Sequence, residues 1–312
     1  MAQAVVATGF GGTDQLRLVK VDPGAPGPGQ VAVSVRAAGV NPADVKLREG
    51  LFGRDESWLP LRLGSEAAGV VAALGDGVSG LTVGDEVIAF RASGAYATDL
   101  VLDPNVLTPK PGNLSWEEAA GLMLTGATAV HTLTATSVGE GDTVLIHGGA
   151  GGVGQMAVQL AGLRGARVIA TASPRNHDLL RSLGAEPVAY GEGLADRVRE
   201  LAPDGIDAAL DLVGTDEALS VSLELVPDRD RIATIANFSP AADQVRKLGG
   251  GPGADPGTET RDAARAELAE LAGSGRLKVR VDRAFPLAEV AAAHDYLMTG
   301  HPSGKVVLVV RL

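Results

Sequence analysis

The chain has 312 residues, 45% of them apolar and 21% charged, which is enough for a sizeable core and unlike a disordered chain. Its length predicts two domains, and its formal net charge of -11 disfavours nucleic acid and anionic membranes as partners. The absence of cysteine excludes disulfides, thiolate catalysis and cysteine-ligated metals.

The opening "MAQAVVATGFGGTD" lacks the basic and apolar segments of a secretion signal. No later stretch approaches the ~20 apolar residues of a membrane span, so a cytoplasmic protein is expected. From Val31 to Asp103, short alternating runs such as "VAVSVRAAGV" and "LTVGDEVIAF" are broken by Gly, Pro and Asp, the punctuation of a small β-rich barrel. Near residue 115 the rhythm changes. Ser115 with Glu118 makes a capping box for a helix "WEEAAGLMLTGATAVHTL". Strands "TVLIHG", "ARVIATA", "PVAY", "IDAALDLVG" and "RIATIAN" then alternate with amphipathic stretches, which predicts a parallel, doubly wound α/β sheet. After Asn237 a Gly- and Pro-rich segment predicts a mobile loop around one short strand. A helix "RDAARAELAELAGSG", the stretch "RLKVRVDRAFPL", a helix from Ala288 to Thr299 and a closing strand "GKVVLVV" follow, and this tail is expected to return to the first domain.

In "TVLIHGGAGGVG" (143–154), Gly149, Gly151 and Gly154 fit a G-x-G-x-x-G spacing directly after a strand and directly before a helix. Along that helix Val153, Met156, Ala157, Leu160 and Ala161 recur at helical spacing, a stripe that packs on the sheet. The glycines let the backbone of Gly149, Ala150, Gly151, Gly152 and Val153 approach a pyrophosphate, whose charge the N–H groups and positive dipole of the helix start would hold. Gly154 permits close contact between helix and strand. A plain strand-to-helix turn is the alternative.

An NAD site calls for an acidic residue ~20 residues past the loop, at the end of the next strand. The sequence there is "TASPRNHD", with Ser173 and Arg175 and no carboxylate before Asp178. A 2'-phosphate suits that pair, so NADP(H) is favoured; the alternative makes Arg175 a solvated helix-start residue. Tyr190, closing the third strand, adds a hydroxyl to the same pocket, and Thr171, Leu212 and Val213 are further cofactor candidates. Ile235, Ala236, Asn237 and Phe238 end the fifth strand at the carboxyl edge of the sheet, where doubly wound folds bind ligands.

Six segments together resemble one family: "AAGVNPADVKLREG" (37–50), "LGSEAAGVV" (63–71), "VGDEV" (83–87), "LTGATA" (124–129), "VLIHGGAGGVGQMAVQLA" (144–161) and "GHPSGKVVLV" (300–309). The chain is similar to the medium-chain dehydrogenase/reductase superfamily, and within it to the zinc-independent, zeta-crystallin-like quinone oxidoreductases. The resemblance implies a Rossmann-type NADP-binding domain (124–264) and a β-rich GroES-like catalytic domain (1–123 and 265–312). It also implies a homodimer, paired through the edge strand near "RIATIAN". Asn41, Ser65 and Leu124 stand where zinc members carry Cys, His and Cys ligands, and none of the three is a zinc ligand. No metal is therefore expected, and NADPH would pass hydride to an electron-poor small molecule, a quinone or a conjugated enone. Two alternatives remain open: an enoyl or alkenal double-bond reductase, and a non-catalytic NADPH-binding protein.

The resemblance places Asn41, Ala43 and Asp44 near the nicotinamide. Asn41 would bond the ribose or an acceptor carbonyl, while Asp44 is either functional or a buried carboxylate capping a turn. Lys46 stands where several relatives have tyrosine; it either donates to an enolate or hydroquinone oxygen or is a plain exposed lysine. Thr125 and Thr128 lie by the nicotinamide or simply pack in their helix. Lys305 approaches the cofactor or belongs to the surface. The histidines at 131, 147, 177, 294 and 301 lack metal spacing, and His131 and His147 read as structural.

Overall fold

Parallel pairing of short apolar strands builds the part of the molecule that carries the glycine turn. A computed structural model of the protein describes residues 1–298 and 302–310. The chain divides into two compact units, Met1–Leu124 with Arg265–Leu312, and Thr125–Ala264.

The unit Thr125–Ala264 holds a six-stranded parallel sheet. Its spatial order is Glu186–Val188, Arg167–Thr171, Thr143–His147, Ala208–Asp211, Ile232–Thr234 and Arg246–Lys247. Ala208–Asp211 and Ile232–Thr234 are buried throughout, as strands covered on both faces must be. Because all six run the same way, His147, Thr171, Val188, Asp211, Thr234 and Lys247 end at one edge. Strand order reverses between Thr143–His147 and Ala208–Asp211, which puts a ligand crevice at that edge.

Three elements differ in detail from their sequence patterns. Ile232–Thr234 lies inside the sheet with Arg246–Lys247 outside it, so the edge strand near "RIATIAN" is Arg246–Lys247 and not "RIATIAN" itself. The third strand ends at Val188, and Tyr190 stands beyond it, 59% exposed. The helix Gly152–Leu163 buries more than one stripe, for Gln155, Val158 and Gln159 are covered too. Its buried amides are satisfied locally: Gln155 Nε2 donates to Ala150 O (2.7 Å) and Gln159 Nε2 to Gln155 O (3.0 Å).

The other unit holds a seven-stranded sheet in the order Val281–Pro286, Lys305–Val309, Val31–Val40, Glu66–Leu74, Glu86–Phe90 and Leu107–Pro109, with Asp99–Leu102 also pairing Val31–Val40. Tyr96, Leu63, Val33, Val35 and Leu308 belong to its core. A second sheet joins Leu16–Val21, Ala2–Ala7 and Leu61–Arg62. The final strand lies antiparallel to Val31–Val40 with Val306 opposite Val40, which brings Lys305 to the end of that strand, beside Asn41. Before it comes a helix Val290–Met298; Thr299, Gly300 and His301 lie outside the described residues. Among the described residues no helix is long and apolar enough to cross a membrane.

Candidate active site

At the glycine turn the backbone does the work. Gly148 takes φ +76°, a left-handed conformation that favours glycine. The turn is pinned to the neighbouring strand, because Gly148 N donates to Thr171 Oγ1 (3.1 Å) and Gly149 N to Thr171 O (3.0 Å). A Cβ on Gly154 would overlap Gly148 O and stand 2.7 Å from Gly149 Cα, so helix and turn touch backbone to backbone. A Cβ on Gly151 would meet only Gly148 O, at 3.5 Å, leaving that face of the turn open. The first N–H with a helical partner is that of Gln155, which donates to Gly151 O (2.9 Å). The N–H groups of Gly152, Val153 and Gly154 precede it, which is the donor set a pyrophosphate needs. The geometry therefore fits the cofactor's phosphates.

The same edge gathers most of the other cofactor candidates. Asp211, fully buried, accepts from Val213 N (3.1 Å) and Gly214 N (2.7 Å), fixing the turn after its strand. Its other oxygen accepts from Thr234 Oγ1 (2.8 Å), which in turn accepts from Ala236 N (3.2 Å) and Asn237 N (3.0 Å). One hydrogen-bonded pair thus sets Leu212, Val213 and Ile235 to Asn237. Phe238 follows, half-buried. Beyond Thr171, Ser173 begins a short turn Pro174–Asn176 on which Arg175 is exposed. Tyr190 follows Val188 by two residues at this edge and is exposed. Asp211 and Thr234 went unrecognised in the sequence, although a carboxylate closing the apolar run "AALD" is an identifiable signal.

In the other unit Asn41, Asp44 and Lys305 come together, and Glu66, also unrecognised, joins them. Lys305 is 3% exposed, and its Nζ donates to Asn41 Oδ1 (2.6 Å) and Glu66 Oε1 (2.8 Å). Asn41 Nδ2 donates to Glu66 Oε1 (3.1 Å) and Gly39 O (3.4 Å), while Glu66 Oε2 accepts from Leu124 N (2.8 Å). Both amide hydrogens of Asn41 are thereby committed, so it has no donor left for an acceptor carbonyl. The positions that correspond to zinc ligands thus contribute a committed amide, an unpartnered buried Ser65 hydroxyl and an apolar Leu124, with an ammonium ion already beside the amide oxygen. That donor set does not fit zinc. Among the described residues no three His, Asp or Glu side chains converge as a metal group.

Asp44 sits on the helix Pro42–Arg48 and closes its start: Oδ2 accepts from Asn41 N (2.9 Å) and from Tyr96 OH (2.9 Å). Burial pushes its carboxyl up from 3.8 to about 6, against the pull of the Tyr96 hydroxyl. The native state therefore binds this proton more tightly than the unfolded chain does. Stability from this group is complete below about pH 4 and declines as pH rises to about 6, by at most ~3 kcal/mol. Asp44→Asn keeps an acceptor and removes the slope. Denaturant midpoints at about pH 4 and about pH 7 should show the variant gaining on wild type at the higher pH; an equal gap at both would refute the linkage.

Lys46, on the same helix, is half-buried, and burial lowers its ammonium below the usual lysine value. Ala43 is exposed, and Thr125 and Thr128 are buried in the helix Trp116–Ala135. That helix begins with Ser115 N donating to Glu118 Oε2 (2.8 Å) and Glu118 N to Ser115 Oγ (3.1 Å). His147, buried, is pushed down to about 4 and stays neutral.

Residues 27–112 match the family model of the alcohol dehydrogenase GroES-like domain, and residues 183–308 that of the zinc-binding dehydrogenases. The chain is 33% identical to the human synaptic vesicle membrane protein VAT-1 homolog, over 99% of this chain and 86% of that protein. It is 33% identical to the chloroplastic NADPH-dependent alkenal/one oxidoreductase of Arabidopsis thaliana, over 98% of this chain and 79% of that one. The crystal structure of Escherichia coli quinone oxidoreductase complexed with NADPH superposes with a TM-score of 0.86 at 28% identity, covering 99% of this chain and 100% of that one. With its parallel dinucleotide-type sheet, its GroES-like β-rich unit and relatives matched along almost its whole length, the chain belongs to the medium-chain dehydrogenase/reductase superfamily.

Proposed function

We propose that the protein is an NADPH-dependent oxidoreductase that reduces a quinone or a conjugated enone without a metal. The observation that carries this reading is the glycine turn, with three N–H groups presented at one sheet edge and Arg175, rather than a carboxylate, after the next strand. When bound, NADPH supplies a hydride from its nicotinamide C4. The chain's own residues bind and orient: the first-turn N–H groups hold the pyrophosphate, Ser173 and Arg175 take the 2'-phosphate, and Asp211 with Thr234 keeps the flanking turns in place. Holding the reactants at near-attack distance can supply ~7 kcal/mol of the barrier without an acid–base residue. The relatives named for quinone and alkenal/one reduction support an acceptor that is already electron-poor.

Oxidation of NADPH and NADH should be followed across quinones, enones and aldehydes, with and without chelator. Turnover of NADPH with quinones or enones, insensitive to chelator, is expected. Preference for NADH would refute the role of Arg175, and an Arg175→Ala variant should lose about tenfold in NADPH selectivity, the loss of a charged hydrogen bond. No oxidation of either would favour a non-catalytic NADPH-binding protein.

A second reading, an alkenal double-bond reductase, is favoured by Lys46, since a half-buried ammonium with a lowered pKa is a better proton donor to the α-carbon. Loss of enone reduction by about a hundredfold in Lys46→Ala, with quinone reduction intact, would establish it. Equal rates on both substrates would leave Lys46 out of the chemistry.

A further inference from the structure

His131 reads as a structural histidine in the sequence, and the structure gives it a more specific task. It lies on the helix Trp116–Ala135, 2% exposed. Arg261 Nε donates to its Nδ1 (3.3 Å), and its Nε2 faces Asp255 Oδ2 (3.2 Å). A guanidinium only donates and a carboxylate only accepts, so the ring between them must be the neutral tautomer with its hydrogen on Nε2. Burial, and then the Arg261 charge, also favour the neutral ring.

Asp255 is the closing residue of the loop that follows the last parallel strand. Its N–H donates to Lys247 O (2.9 Å), and its carbonyl accepts from Gly249 N (2.8 Å). Its other carboxylate oxygen accepts from Gly257 N (2.8 Å). Gly257, at φ +58°, lies flat against the imidazole, and any Cβ there would overlap the ring. The loop leaves the sheet at the same carboxyl edge as the glycine turn, for Leu248 N still donates to Thr234 O (2.9 Å). At its far side Gly251 backs Phe238, where a Cβ would stand 2.6 Å from Cζ of that ring.

We propose that His131 is a positioning residue for the cofactor site: through its Nε2–H tautomer it clamps the loop 248–257 by Asp255, and through Gly251 that loop sets where the Phe238 ring stands at the sheet edge. The inference rests on the cofactor reading above. A purely structural histidine would depend on ring volume. A clamp of this kind depends on donor–acceptor polarity.

Asp255→Asn tests that polarity, because the Asp255 side chain is largely exposed and the volume is kept. It turns the acceptor facing Nε2 into a donor, and a neutral ring flanked by two donors can accept from only one of them. Arg261→Gln added to it places an acceptor opposite Nδ1, at the same bond distance from Cα as Nε, so the other tautomer satisfies both sides. Hydrogen exchange of the Gly249, Asp255 and Gly257 amides and NADPH affinity by cofactor fluorescence are the readouts. We expect Asp255→Asn to speed exchange and to weaken NADPH about fivefold, with both restored in the double variant. Unchanged exchange in Asp255→Asn overturns the clamp, as does a double variant no better than the single one. Failure of the wild-type protein to bind NADPH overturns the cofactor reading instead.

Discussion

Lys305→Met is expected to destabilise the unit that contains Asn41 by about 3 to 5 kcal/mol, the cost of leaving one partner of a buried ion pair uncompensated. Glu66 has no exposed surface, and in the variant it would keep its bonds from Asn41 and Leu124 N–H but lose its only cationic partner among the described residues. Pairing Lys305→Met with Glu66→Gln removes both charges and preserves an acceptor for Leu124 N–H. The double variant should therefore recover most of the loss, giving a coupling of ~2 kcal/mol or more. Trp58 and Trp116, the chain's two tryptophans, both belong to the unit that holds Lys305. Tryptophan fluorescence during denaturation thus reports on that unit. A midpoint for Lys305→Met within error of wild type would show that the ammonium is not held as described.

Strand rhythm and glycine spacing made the doubly wound sheet and its phosphate turn legible, because both are local: periodicity two or an apolar run defines a strand, and the turn needs residues only five apart. The Lys305 network is different in kind. Asn41, Glu66 and Lys305 are far apart in sequence and meet only because Glu66–Leu74 and the last strand both pair with Val31–Val40. No pattern within any one segment distinguishes Lys305 from a surface lysine. Glu66 gave a fainter sign as the one charge in "LGSEAAGVV", where a buried strand leaves a carboxylate needing a partner. The end of the third strand was misjudged for the opposite reason. Local apolarity in "PVAY" prolonged the predicted strand, while pairing with Arg167–Thr171 stops at Val188. The short strand expected in the Gly- and Pro-rich segment is Arg246–Lys247, and its pairing with Ile232–Thr234, which two residues carry no periodicity to announce, makes it the edge of the sheet.

Gly154→Ala should both weaken NADPH binding at least tenfold and lower stability by about 1 to 3 kcal/mol, the range for overpacking a tight contact. Its backbone is ordinary helix, so the effect is steric: the new methyl would run into Gly148 O, Gly149 Cα (2.7 Å) and Gly149 C (2.8 Å), all main chain, none able to swing away as a side-chain tip would. The helix must lift off the turn, and its first N–H groups then leave the place where the phosphates are held. Gly151→Ala separates the two consequences. Its methyl meets nothing closer than Gly148 O at 3.5 Å, so the fold should tolerate it, while a ligand approaching the turn meets the methyl. Gly162, later in the same helix, has nothing within 4 Å, and Gly162→Ala should stabilise by about 0.5 to 1 kcal/mol without touching affinity. The three variants, compared by NADPH titration and thermal midpoint, should therefore fall into three classes. If Gly151→Ala bound NADPH as tightly as wild type, the open face of the turn would not be where the pyrophosphate lies.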